Sequence, residues 1–335
     1  MSQRLRRFGW AICIAVLALS QLPSPAGAAT STAGTDPARP TIKLSDSTVT
    51  LGKKVTVSGR APGLLRPVIL QMRTAENGWQ DLAQTVTILN GVYSFTAPNW
   101  YGAHRLRVVA AATLLDARSV SVTRTLTVKM PYRPKGKTSD WSWLQPPGAR
   151  WGPCQTITYR INPHGGYGRA TTDVTAAFRK VARVTGFRFK YVGSTSARVT
   201  RGRAGYHPRG TDVVVDWQTP REEPGLSGGA AGIGGHWVLQ GRRFDGYMIL
   251  DRTEPLSRSK WRQVMTHEVG HIVGLGHSRS RTQLMFGVSS SMNERWGAGD
   301  LAGLRRIGAS RGCLEGSSAS SDERLARESS RPVEY

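Results

Sequence analysis

Acidic residues are scarce in this chain: 22 Asp and Glu stand against 46 Lys and Arg, a formal charge of +24. Such a field attracts polyanions. The basic residues are nevertheless scattered singly, with no aromatic-interleaved motif, so no specific nucleic-acid partner is expected. A solvated basic surface held near anionic cell-envelope polymers is expected instead. Cysteine is almost absent, with three in 335 residues. Long apolar runs are absent too. The longest, Trp10 to Leu19, is too short to span a bilayer as a stable helix.

That run follows Arg4, Arg6 and Arg7 and precedes Ala26-Gly27-Ala28, the order of a cleavable export signal over 1–28. An uncleaved anchor is the alternative. Loss of the three leader arginines leaves 43 basic against 22 acidic residues, or +21, and no transmembrane anchor. Loss of Cys13 leaves Cys154 and Cys313, which in an oxidising compartment most simply pair and close a long loop. Two buried thiols are the alternative.

Residues 29–40 are small and polar, a flexible lead-in. From 41 to 130, seven short alternating runs are separated by turn signals, among them Asn90-Gly91, a strong hairpin dipeptide. This patterning resembles the immunoglobulin-like β-sandwich modules attached to secreted bacterial proteins. Residues 131–147 are proline-rich and read as a linker. Beyond them the pattern is mixed. Strands are expected at 155–161, 187–192, 211–217 and 246–251. Helices are expected at 171–186, with Thr and Asp capping its start and Gly186 its end, from about Ser259 onward, and at about 298–308. The tail 316–335 is polar and expected to be disordered.

The densest chemistry is HEVGHIVGLGH, residues 267–277. On a helix His267 and His271 share one face and can offer two nitrogens to one ion. Glu268 lies beside that ion, placed as a base for water bound to it. A straight helix would carry His277 away, but Gly274 can take the left-handed conformation, end the helix and return His277 as a third ligand. Three protein ligands leave a fourth zinc position for water, and the expected reaction is peptide-bond hydrolysis through that water, activated by Glu268.

HExxHxxGxxH is the zinc signature of the metzincin metallopeptidases. Ser278 directly after the third histidine, with QLMFG beyond it, resembles the matrixin, or matrix-metalloproteinase-like, branch. The resemblance covers about 148–315. It implies an α+β zincin-like catalytic domain holding one zinc ion, with His267, His271 and His277 as ligands, Glu268 as catalytic base and Met285 as the methionine of the turn beneath the metal. It also implies an extended protein or peptide substrate along a sheet edge, for which 228–239 is the candidate, its glycines admitting a peptide backbone. A specificity pocket is expected between His277, Met285 and 288–296.

The expected architecture is therefore multidomain, an all-β immunoglobulin-like sandwich followed by the metzincin domain, in a secreted and monomeric enzyme of the zinc metalloendopeptidase type. Several family features are missing. No PRCG-like segment precedes the catalytic part, and no histidine-rich loop accompanies His236, leaving it without company as a ligand. LMFG lacks a proline. Structural calcium through Asp212 or Asp245 has no loop pattern behind it. The alternative function is a cell-wall or matrix polymer-binding protein with a vestigial metal site.

Overall fold

The computed structural model describes residues 39–144, 148–287 and 295–314. The leader (1–28), most of the lead-in, the tail and most of the segment expected to wall the specificity pocket lie outside the described residues. Among the described residues no helix is long and apolar enough to cross a membrane.

The first part consists of β1 (Lys43–Leu44), β2 (Thr48–Thr50), β3 (Thr56–Arg60), β4 (Pro67–Arg73), β5 (Trp79–Val86), β6 (Val92–Thr96), β7 (Gly102–Ala110), β8 (Ser119–Val120) and β9 (Arg124–Lys129). They form two sheets, ordered β1-β3-β6 and β2-β9-β7-β4-β5, with β8 beside β7. The alternation read in the sequence has its physical cause here. In β4, Val68, Leu70 and Met72 face inward, and in β7 Leu106 and Val108 join them in one apolar cluster with Val57 and Phe95 of the smaller sheet. Asn90 and Gly91 do take positive φ, 67° and 70°. They do not close a hairpin, however, because β5 and β6 belong to different sheets and the turn carries the chain across the core.

The second part contains β10 (Ser142–Trp143), β11 (Thr156–Ile161), α1 (Ala170–Thr185), β12 (Arg188–Ser194), β13 (Val213–Gln218), β14 (Gly232–Leu239), β15 (Arg242–Asp251), α2 (Arg258–Val273), β16 (Leu275–Gly276) and α3 (Ala298–Ile307). Five strands make a sheet in the order β12-β11-β13-β15-β14, parallel except for the antiparallel edge strand β14. β13 is buried along its whole length, as a central parallel strand must be. The helices pack on this sheet around one apolar cluster that includes Phe178, Val181, Met265, Val269 and Leu304.

Helix α1 buries Val174, Ala177, Phe178, Val181 and Val184, one stripe at helical spacing. Gly186 ends it at φ 75°, its N–H returning to the Ala182 carbonyl at 2.8 Å. The start differs from expectation: the N-cap position is Arg169, without a side-chain cap. Asp173 instead serves tertiary structure. Its carboxylate accepts from Arg258 Nε and Nη2 at 2.7 and 2.8 Å and from Tyr167 at 2.8 Å, fastening α1 to the start of α2. These bonds hold the carboxyl below its ordinary range, the Arg258 bond most of all.

Cys154 and Cys313 are bonded, with Cα atoms 5.3 Å apart, and the bridge joins the segment just before β11 to the one just beyond α3. The hairpin joining β4 to β5 docks here. Ala75 and Glu76 donate backbone bonds to Ser310 and Arg311, and Glu76 pairs with Arg150 at 2.6 Å. Residues 131–147, expected as a linker, include an ordered strap: β10 pairs antiparallel with β16, and Ala298 N donates to Lys135 O at 2.7 Å.

Candidate metal centre

Helix α2 is buried on all sides from Gln263 to Val273, so its polar side chains sit in a dry setting and need fixed partners. Ser257 caps its start, accepting from Lys260 N. Gly274 ends it at φ 113°, its N–H shared between the Gly270 and His271 carbonyls. A Cβ at 274 would run into the Arg243 guanidinium, so only glycine fits there by conformation and by space.

That turn leads through β16 to His277, and Nε2 of His271 lies 3.0 Å from Nε2 of His267 and 3.1 Å from Nε2 of His277. Among the described residues this is the group of His, Cys, Asp or Glu whose ligand atoms converge, all within 4.8 Å. His267 Nδ1 bonds the Leu284 carbonyl at 2.9 Å and His271 Nδ1 the Leu275 carbonyl at 2.6 Å. A carbonyl only accepts, so both Nδ1 atoms carry the proton. Burial pushes His267 down to about 4 and His271 well below the ordinary histidine value, so both rings are neutral near pH 7. Their Nε2 lone pairs then face one another at hydrogen-bond distance with no proton between them. A cation shared by the three nitrogens removes that repulsion, and three neutral imidazoles suit zinc.

Glu268 is buried next to this cluster. Its carboxylate accepts from Gly234 N–H, and burial, the larger effect, pushes its carboxyl up to about 8. A dication on the adjacent imidazoles acts in the opposite direction. Strand β14 lies at the sheet edge, where the expected substrate strand belongs, but its glycines serve another purpose than expected. A Cβ at Gly234 would come within 2.8 Å of the Glu268 Cα, and one at Gly232 within 3.1 Å of its Cγ. They let α2 approach the sheet, with Glu268 at the contact. Gly232 and Gly234 also line a cleft of about 1000 Å³ together with Glu268, His271, His277 and the strap residue Trp143.

Met285 is buried against Gly270, where a Cβ would meet its sulfur at 2.5 Å. It therefore sits under the turn of helix between His267 and His271. Ser278 N donates to the Met285 carbonyl at 2.7 Å. Asp300, which the sequence suggested only as a helix residue, fixes this turn. It is fully buried and accepts from Leu284 N at 2.6 Å, Met285 N at 3.2 Å and Gly297 N at 2.9 Å. Burial pushes its carboxyl up to about 6, against the pull of these N–H groups. Asp300 thus holds Leu284, whose carbonyl orients His267.

His236 is no part of the metal cluster. It stands at a bulge in β14, bonding the His271 carbonyl through Nδ1 at 3.1 Å and accepting from Arg243 Nε at 2.8 Å. Arg243 Nη1 donates to the Val273 carbonyl at 3.0 Å. Together they satisfy the last carbonyls of α2 just before the Gly274 turn. A histidine and an arginine seven apart across a hairpin was the only available sequence signal. Of the two aspartates considered for calcium, Asp212 accepts from Thr158 N and Oγ1, and Asp245 accepts from Gly205 N. His104 bonds the Trp100 carbonyl inside the first part.

A buried helix carrying two imidazoles and a carboxylate is turned by a glycine so that a third imidazole joins them, and these three nitrogens could hold one metal ion. Residues 150–307 match the family model described as Matrixin, which supports a zinc-dependent metallopeptidase domain over that stretch. No curated protein matches the chain.

Proposed function

We propose that this chain is a secreted zinc endopeptidase in which His267, His271 and His277 hold the metal and Glu268 is the catalytic base. The observation that carries the reading is the convergence of three Nε2 atoms, two on buried rings and the third on the exposed His277, with a buried carboxylate adjoining them in the same cleft. Zinc, when bound, supplies a Lewis acid that acidifies water and polarises a carbonyl. Glu268, oriented by the Gly234 N–H, accepts the proton of the attacking water and passes it to the leaving amine. The free edge of β14 receives the substrate as an added strand, with main-chain bonds supplying register. Met285 supplies an apolar floor under the imidazoles.

The strand order β1-β3-β6 facing β2-β9-β7-β4-β5 supports an immunoglobulin-like accessory module over 41–130. Export rests on the leader pattern, and the net charge of +21 left after its removal supports retention at anionic envelope polymers. The test is cleavage of a peptide library read by mass spectrometry. Cleavage that a chelator abolishes and added zinc restores is expected. Cleavage indifferent to chelation would remove the proposal, and no cleavage alongside tight binding to wall polymer would favour the binding-protein alternative.

A further inference from the structure

The two ends of the β4–β7 sheet differ. One end, the 74–78 turn and residues 100–104, packs on the second part through the bonds of Ala75, Glu76 and Tyr101. The other end carries the loops after β3, β5 and β7, and the register Pro67↔Val86 and Val68↔Ala110 sets these loops side by side. Each presents a pair of apolar residues to solvent: Leu64-Leu65, Ile88-Leu89 and Leu114-Leu115. Leu65, Leu89 and Leu115 are 65%, 75% and 96% exposed. Strands of seven and nine residues hold this tip roughly 25 Å from the packed end.

Nothing in the fold accounts for these side chains. Six exposed aliphatic residues contribute little burial, and Leu65 holds φ 52°, a conformation in which a leucine is strained and a glycine or asparagine is not. The backbone at the base of these loops, in contrast, is tied from loop to loop. Arg66 is 2% exposed and donates to the carbonyls of Pro62, Ala111 and Ala117, one guanidinium tying two loops, while its own N–H binds Thr87 Oγ1 of the third. Within the tips, Asp116 N and Leu115 N bond Thr113 Oγ1, Thr113 N bonds the Asp116 carbonyl, and Gly91 N bonds the Ile88 carbonyl.

Exposed aliphatic side chains on a braced loop base suit the interface of a bilayer, where the side chains reach the acyl boundary and the loop backbone stays at the level of the hydrated headgroups. The tips project from separate loops and include no aromatic anchor, unlike the packed centre of a protein interface. A fluid acyl phase needs no shape match. Around the tip Arg60 and Arg118 are exposed, and the nearby Asp116 lies 3.8 Å from the buried Arg66. We infer that the end of the first part built from loops 61–66, 87–91 and 111–118 is a membrane-docking tip. It inserts its leucine and isoleucine pairs among the acyl chains of a bilayer with anionic headgroups, which the flanking arginines and the positive chain attract.

The test is flotation of the full chain with vesicles of phosphatidylcholine alone and of phosphatidylcholine mixed with phosphatidylglycerol. Binding to the mixed vesicles is expected. Leu114→Ser with Leu115→Ser should lower partitioning about tenfold, and adding Leu64→Ser with Leu65→Ser should bring it to background. The thermal midpoint and the cleavage of soluble peptides should stay unchanged, since these side chains touch neither core nor cleft. A Leu115→Trp variant should show a blue-shifted emission increment over the parent when vesicles are added. Failure of the parent to bind overturns the inference. So does equal binding by the serine variants, which would mean charge alone, or a concentration-dependent dimer that those substitutions abolish, which would make a second copy the occupant.

Discussion

Glu268→Gln should lower peptide cleavage by roughly a hundred- to ten-thousand-fold while leaving fold and bound zinc in place. The amide keeps the shape of the side chain and can still accept from Gly234 N–H, so the contact between β14 and α2 survives. What it loses is basicity, and in the proposed mechanism that group is needed only to move a proton. In that mechanism the metal would rest on the three imidazoles, whose orientation comes from Leu284, Leu275 and the Gly274 turn, none of which the substitution touches. Steady-state kinetics beside metal content decides it. A drop in activity that follows loss of zinc would reassign Glu268 to structure, and undiminished activity would end its role as base.

Gly274→Ala should destabilise the protein by about 2–5 kcal/mol and weaken metal retention with it. Two effects add. Alanine at φ 113° carries strain of about 1–2 kcal/mol, and its methyl must displace the Arg243 guanidinium. Moving Arg243 strips a donor from the Val273 carbonyl and from His236, and a buried group left without a partner costs about 1–3 kcal/mol. The turn also sets the path to His277, so the third nitrogen should shift with it. Calorimetry should show the midpoint falling by about 10 °C, on the scale of a few degrees per kcal/mol for a part of this size. A midpoint within a degree or two of the parent would mean the turn relaxes cheaply, contrary to the packing described.

The metal site was legible in the sequence because its logic is local. Spacing four apart on a helix, followed by a glycine able to turn it, fixes three imidazoles within eleven residues, and the structure brings those nitrogens together. Its supports are not local. Asp300 reaches back fifteen and sixteen residues to Met285 and Leu284, and His236 meets His271 across thirty-five, distances at which no period or motif operates. The strands read from alternation appear within a residue or two at 155–161, 187–192 and 211–217. The hydrophobic pattern does not say which strands pair, so Asn90-Gly91 looked like a hairpin and is a crossing between sheets. The strap at Ser142–Trp143 was hidden by its prolines and low aliphatic content, since it is held by backbone pairing and by Trp141 packing on Gly303 of α3.

Three imidazoles, two on a buried helix and the third on its returning turn, are proposed to hold one zinc ion. Elemental analysis of purified protein together with X-ray absorption at the zinc edge measures this directly. One zinc per chain with three nitrogen neighbours and a further light-atom ligand is expected, falling to two nitrogens in His277→Ala. A chain free of tightly bound transition metal, or a nitrogen count that His277→Ala leaves unchanged, would contradict it.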